Sequence, residues 1–170
     1  MTDTAEAIID AIRAAFAGVP RGSITLHEAE VIDAYGSAEE QAEARRRDTE
    51  ASWDRVPDLD IEECTAALSY LDPESWRYYI PAYMIWTLRH FRVNCSIVSD
   101  FTIYTFDASE RDLALREYMS KRYRMLDVAQ SRAVCRFLRY MAANDDHADG
   151  TVANVALADF WGRFCEGQDA

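Results

Sequence analysis

The sequence predicts an all-α protein, a single irregular bundle of about seven or eight helices around a central aromatic helix bent by a proline. Capping boxes recur ahead of apolar residues at helical spacing, starting at Asp3, Thr25, Ser37, Asp60 and Asp127. The stretch from Leu71 to Phe91 is apolar on every side of a helix, which marks an element enclosed by its neighbours. Length agrees, since 170 residues that are 49% apolar suffice for one domain, expected to run over 1–170 with frayed, acidic ends.

Asp3 with Glu6 opens the first helix, Ile8, Ile9, Ile12 and Phe16 form its apolar face, and Gly18 with Pro20 stops it. Thr25 with Glu28 opens a short helix that Gly36 ends. Ser37 with Glu40 opens a third, to about Asp48, whose Glu39, Glu40 and Glu43 ahead of Arg45, Arg46 and Arg47 read as a solvated face. Pro57 and three aspartates make 53–60 a loop, with Trp53 and Val56 tucked against the core. Asp60 with Glu63 caps a helix that turns Ile61, Cys64, Leu68 and Leu71 inward. Asp72 N-caps the central helix and Pro73 takes its first position, where a missing N–H costs nothing. Pro81 removes a hydrogen bond inside it, so a kink or break is expected near Tyr79–Ile80.

The segment 97–106 is ambiguous. Residues 101–106 favour strand by type, whereas Ser99-Asp100 looks like a helix start, and a short helix is the reading adopted. Ser109 with Asp112 opens another helix through Leu113, Leu115 and Met119. Asp127 with Gln130 opens the clearest one, with Val134, Phe137, Leu138 and Met141 on one stripe and Arg132, Arg136 and Arg139 on the other. An acidic loop over 144–150 leads to a last helix from about Thr151, with Leu157, Phe160, Trp161 and Phe164 inward.

The formal net charge is -12, unevenly spread. Residues 1–60 hold 14 acids and 6 bases, whereas residues 107–143 hold 5 acids and 8 bases, a basic island between acidic ends. That distribution argues against nucleic-acid binding and for internal charge pairing or a cationic protein partner. The longest apolar run, Tyr78 to Leu88, is far shorter than the ~20 residues of a spanning helix, so no membrane association is expected. Met1 to Glu6 carries acid and no basic start, which leaves the cytoplasm as the expected compartment. Cysteines at 64, 95, 135 and 165 lie 31, 40 and 30 residues apart, without metal spacing, and read as reduced, mostly buried thiols.

Chemistry-bearing motifs are sparse. Neither a glycine-rich phosphate loop nor a Gly-x-Ser-x-Gly elbow occurs, and no two histidines stand four residues apart. No cofactor, metal or catalytic residue is therefore assigned. The sharpest metal candidate, Asp145, Asp146, His147 and Asp149, lacks the ligand alternation of a calcium loop, and a Cys95–His90 dyad lacks anything to orient its imidazole. Two constellations suit binding. Trp76, Arg77 and Tyr79, with Tyr78 and Tyr83, combine residue types enriched in interface hot spots, against a reading as core. The Arg132, Arg136, Arg139 stripe suits an anion, against a reading as neutralisation of the acidic amino-terminal half.

The stretch Leu71-Asp72-Pro73-Glu74-Ser75-Trp76-Arg77-Tyr78-Tyr79-Ile80-Pro81-Ala82-Tyr83-Met84 resembles a bacterial domain-of-unknown-function family. The likeness extends to Trp53 before Pro57, to Ala133-Val134 with Phe137-Leu138-Arg139-Tyr140, and to Leu157 with Phe160-Trp161, over about residues 25–164. It implies a small cytosolic helical protein and brings no catalytic residues with it. The functional expectation is a non-enzymatic module that binds a cationic protein, such as an immunity-like inhibitor of a basic toxin or nuclease, through Glu39, Glu40, Glu43, Trp76, Arg77 and Tyr79. The alternative is an enzyme whose site assembles from distant helices, with Asp72, Glu74 and Asp100 around the tyrosines.

Overall fold

The computed structural model describes residues 3–93, 97–109, 112–144 and 148–165. Among them every regular element is helical, ten α-helices of which eight have seven residues or more. None of these helices is long and apolar enough to cross a membrane.

The amino-terminal third is built from α1 (Ala5–Ala15), α2 (Leu26–Asp33), α3 (Ala38–Arg45), α4 (Asp58–Glu63) and α5 (Ala67–Tyr70). Helix α1 buries Ile8, Ile9 and Ile12, as its periodicity predicts, but its cap is Thr4, whose Oγ1 accepts the Ala7 N–H, and not Asp3. Asp3 is drawn away by Arg136, 2.6 Å distant. At α3 the expected box is complete: Ser37 Oγ accepts the Glu40 N–H (3.2 Å) and Glu40 accepts the Ser37 N–H (2.7 Å). Trp53 forms a 3-10 turn and donates its indole N–H to the Phe16 carbonyl at 2.8 Å, fastening the 53–56 segment to the end of α1.

The helix expected from Asp60 is instead two short ones, α4 starting at Asp58 after Pro57 and α5 starting at Ala67. A side chain from elsewhere explains the break. Glu30 of α2 takes the Ala66 N–H at 2.9 Å, satisfying a donor that a continuous helix would have bonded to its own backbone.

Helix α6 (Pro73–His90) is the central element, and from Tyr78 to Leu88 every residue is buried. Asp72 Oδ1 accepts the Ser75 N–H at 2.8 Å with Pro73 at the first position, as predicted. Pro81 lies inside one uninterrupted helix, so the expected break does not occur. Enclosure supplies the reason, because packing on all sides holds the helix together across one missing hydrogen bond.

The remaining helices are α7 (Val98–Tyr104), α8 (Leu113–Arg124), α9 (Val128–Ala142) and α10 (Gly150–Asp159). The ambiguous segment is helical over Val98–Tyr104, and Trp76 donates to Oγ1 of Thr105, just past that helix, at 2.8 Å. Helix α8 runs through Leu113, Leu115 and Met119 as expected, but Leu113 is 78% and Leu115 44% exposed, and the buried face is Met119, Arg122 and Tyr123. Helix α9 behaves as predicted, with a complete Asp127–Gln130 box and its apolar stripe buried. Helix α10 turns Gly150, Ala153 and Ala156 inward, while Trp161 is buried in a following 3-10 turn over Trp161–Phe164. Contrary to the expectation of reduced thiols, Cys135 of α9 and Cys165 form a disulfide across a Cα separation of 5.6 Å. One apolar core runs from Ile8 to Trp161, with α1 laid along α9 and α2 packed on α3 and α5.

Candidate functional site

A groove of about 690 Å³ opens between α2, α3 and the end of α4. Its walls carry Glu30, Glu40, Glu43 and Glu63, with His27 and Arg47 as the basic members. Arg47 is held by Glu63 at 2.9 Å and Arg46 pairs with Glu43, so two of the four carboxylates already have a cation. Glu28, buried beneath the groove, joins its two helices by accepting the Thr25 N–H (2.9 Å) and pairing with Arg45 of α3 (2.5 Å).

The rim is formed by an unusual helix end. The Tyr35 N–H bonds the Ile32 carbonyl (3.1 Å) and the Gly36 N–H bonds the Val31 carbonyl (2.8 Å), the bonding pattern of a Schellman ending. That pattern puts Tyr35 in the left-handed region, at φ 57°, where glycine is the usual occupant. Its side chain is 97% exposed. Gly36 cannot exchange roles with it, because a Cβ at Gly36 would meet Val31 Cγ1 at 2.4 Å.

On the floor, the His27 backbone N–H donates to Asp48 Oδ2 (3.0 Å) and His27 Nδ1 lies 2.6 Å from Asp48 Oδ1. In the tautomer whose Nδ1–H donates to Asp48, Nε2 is left as an acceptor. Nε2 is buried without a hydrogen-bond partner, and Glu63 Oε2, at 3.8 Å, is too far to provide one. Burial pushes the Glu30 carboxyl above the usual carboxylate range, against the pull of the Ala66 and Ala67 N–H groups. Burial also pushes the Cys64 thiol far up, reinforced by Glu30 and Asp48, so this lining cysteine stays protonated and is not a nucleophile. Donor atoms of His27, Asp48 and Asp60 come within 4.8 Å of one another, a set able to approach a cation. Asp48 already accepts two hydrogen bonds from His27, which accounts for the closeness of those two members of the set.

The structure divides the six predicted site residues. Glu40 and Glu43 line the groove, and Glu39 is exposed on the same helix. Trp76 and Tyr79 are fully buried and offer no surface to a partner, and Arg77 is half-buried with its Nε on Gln130 Oε1 at 3.1 Å. The aromatic and Arg content of this helix belongs to its enclosure. Tyr79 donates to Glu50 (3.0 Å) and Tyr83 to the Cys64 carbonyl, both kept protonated by burial. Asp72 serves as a cap and Asp100 accepts the Asp149 N–H (3.1 Å), so these acids are committed to backbone and not gathered around tyrosines. Asp145, Asp146, His147 and Cys95 lie outside the described residues; Asp149 caps α10 through the Val152 N–H. His90 stacks on Trp86 and faces Asp58 at 3.2 Å.

His27, Glu30, Tyr35 and Glu63 are the site residues that sequence reasoning misses. No local pattern signals His27, whose partner is 21 residues away. For Tyr35 a signal exists, the glycine that follows it at the second position past the helix end.

No curated protein and no solved structure matches this chain. The model of a family described as a family of unknown function, DUF6714, matches residues 4–164, and the chain belongs to that family.

Proposed function

We propose that this chain is a protein-binding module whose acidic groove receives a basic segment of a partner, as an immunity-like inhibitor of a basic toxin or nuclease would. One observation carries the reading: four glutamates line a groove whose rim presents Tyr35, 97% exposed, in a backbone conformation that disfavours tyrosine. An acidic concavity with a free aromatic ring suits an Arg or Lys side chain, through ion pairing and cation–π contact. The net charge of -12 adds long-range steering of a cationic partner.

The test is titration of a fluorescent arginine-rich peptide into the full chain, followed by stopped-flow kinetics. Association is expected to slow steeply between low and physiological salt, where the screening length is about 8 Å, while dissociation changes little. Glu39→Lys with Glu43→Lys is the informative variant, since both side chains are exposed; Glu40 is left alone because it closes the α3 capping box. Peptide binding indifferent to salt and to this reversal would refute the reading.

A second reading is supported by His27 alone. A histidine oriented by Asp48, with Nε2 turned to a groove wall, has the arrangement of a general base. It calls for turnover of a small molecule by the purified chain, abolished by His27→Gln.

A further inference from the structure

We propose that the cleft between α1 and α9 binds a small amphiphilic carboxylate, an organic anion with an apolar body. The cleft encloses about 460 Å³, inside the roughly 300–1,000 Å³ typical of small-molecule sites. Arg132, Arg136 and Arg139 all line it from one stripe of α9, spaced four and three residues apart. Ala11 and Ala14 of α1, Ala133 of α9 and Phe164 complete the lining.

The charge on this stripe is left over. Arg136 is taken by Asp3 at 2.6 Å, and that hydrogen bond holds the Asp3 carboxyl below its ordinary range. Arg132 and Arg139 are exposed and make no hydrogen bond or ion pair with any described residue, although the chain has 30 acids for 18 bases. The expectation that this stripe neutralises the acidic amino-terminal half is therefore met at Asp3 alone. Two guanidiniums that make no hydrogen bond, Arg139 feeling only the longer-range charge of Asp3, beside an alanine-rich lining are complementary to a carboxylate head joined to an apolar body. Overall charge selects the size of the ligand. A nucleic acid or an anionic membrane would meet the repulsion of a molecule at -12, whereas one carboxylate sits within a screening length, about 8 Å, of the three arginines. The disulfide from Cys135 to Cys165 fixes Phe164 in the lining by tying the turn that carries it to α9.

The experiment is calorimetric titration of the full chain with decanoate, alongside decanol, which lacks the charge, and acetate, which lacks the body. Saturable one-site binding of decanoate is expected, at least tenfold tighter than either control. Arg132→Ala with Arg139→Ala should weaken it at least tenfold while leaving the circular dichroism spectrum unchanged, because neither side chain makes a hydrogen bond or close ion pair with a described residue. Ala14→Trp, at an exposed position on the rim, should block the cleft and abolish binding without touching the arginines. Absence of saturable binding, equal binding of a control, or indifference to both variants overturns the proposal. Binding that appears only when Glu166 and Asp169 are changed to Gln and Asn would assign the cleft to the chain's own acidic end, and overturns it as well.

Discussion

Replacing Tyr35 by glycine is expected to stabilise the fold and weaken the binding proposed for it. A non-glycine residue in the left-handed region costs about 1–2 kcal/mol relative to its preferred conformations. Glycine removes that cost but brings about 0.5–1 kcal/mol of extra chain entropy to the unfolded state. Because the side chain is 97% exposed, no burial is lost to set against the gain. The net expectation is about 0.5–1 kcal/mol of stabilisation, a rise of roughly 1–4 °C in melting temperature for a chain of this size. Urea denaturation gives the free energy and calorimetry the temperature, with Tyr35→Asn as a control, since asparagine tolerates this region better than tyrosine. Destabilisation by more than about 0.5 kcal/mol would refute the reasoning, because it would mean that the ring packs against the protein. In the peptide titration the same variant should bind more weakly, so that stability and binding move in opposite directions.

Gly22→Ala should destabilise by about 2–3 kcal/mol in urea melts. Its Cβ would fall 2.3 Å from the Ser75 backbone nitrogen, forcing the 21–24 segment off the start of α6 and away from the Ser75 Oγ that accepts the Ile24 N–H; an unchanged midpoint would contradict this packing. Arg122→Ala should cost about 2–3 kcal/mol in urea melts, since Nη2 of the buried guanidinium alone donates to the Ser69 and Leu71 carbonyls at 3.1 and 2.7 Å, and lysine should rescue part of the loss because one ammonium can stand in for that one nitrogen. Asp3→Asn is the pH test. The Arg136 hydrogen bond lowers the folded carboxyl below the unfolded 3.8, so its contribution is present above that pH and disappears as pH falls through the folded value. Since the pair is partly exposed, wild type and variant should differ by less than about 1 kcal/mol at pH 7 and converge once the pH falls below the lowered folded value, as followed by urea midpoints.

What was legible in the sequence is whatever is decided within a few residues. The caps at Ser37, Asp72 and Asp127 and the buried stripe of α9 follow from spacing of three to four residues, and the structure has them. The failures are long-range. Asp3 loses the α1 cap to an arginine 133 residues away, and α4 and α5 are separated by a carboxylate 36 residues upstream. In α8 the apolar leucines lost to a polar choice, a buried arginine that serves carbonyl groups ahead of α6. The candidate site divides along the same line. Glu40 and Glu43 are local features of an acidic helix, whereas the His27–Asp48 contact exists only once the chain has folded back. Hot-spot residue types in α6 misled for a related reason, since composition alone does not distinguish an aromatic face that meets a partner from one that meets the protein's own core.

The docking of α1 on α9 also constrains how the molecule is made. Gln130 donates to the Ala15 carbonyl across 115 residues, so α9, the later of the two helices that α1 packs on, does not yet exist when α1 leaves the ribosome. At about 5–20 residues per second, α1 waits on the order of 6–25 s for α9 to be synthesised. An 11-residue helix is marginal on its own, and until α9 arrives only α6 and the Trp53 turn are there to cover part of Ile8, Ile9 and Ile12. The nascent chain thus carries an apolar face left open on its α9 side for that interval, a target for chaperones and for premature aggregation.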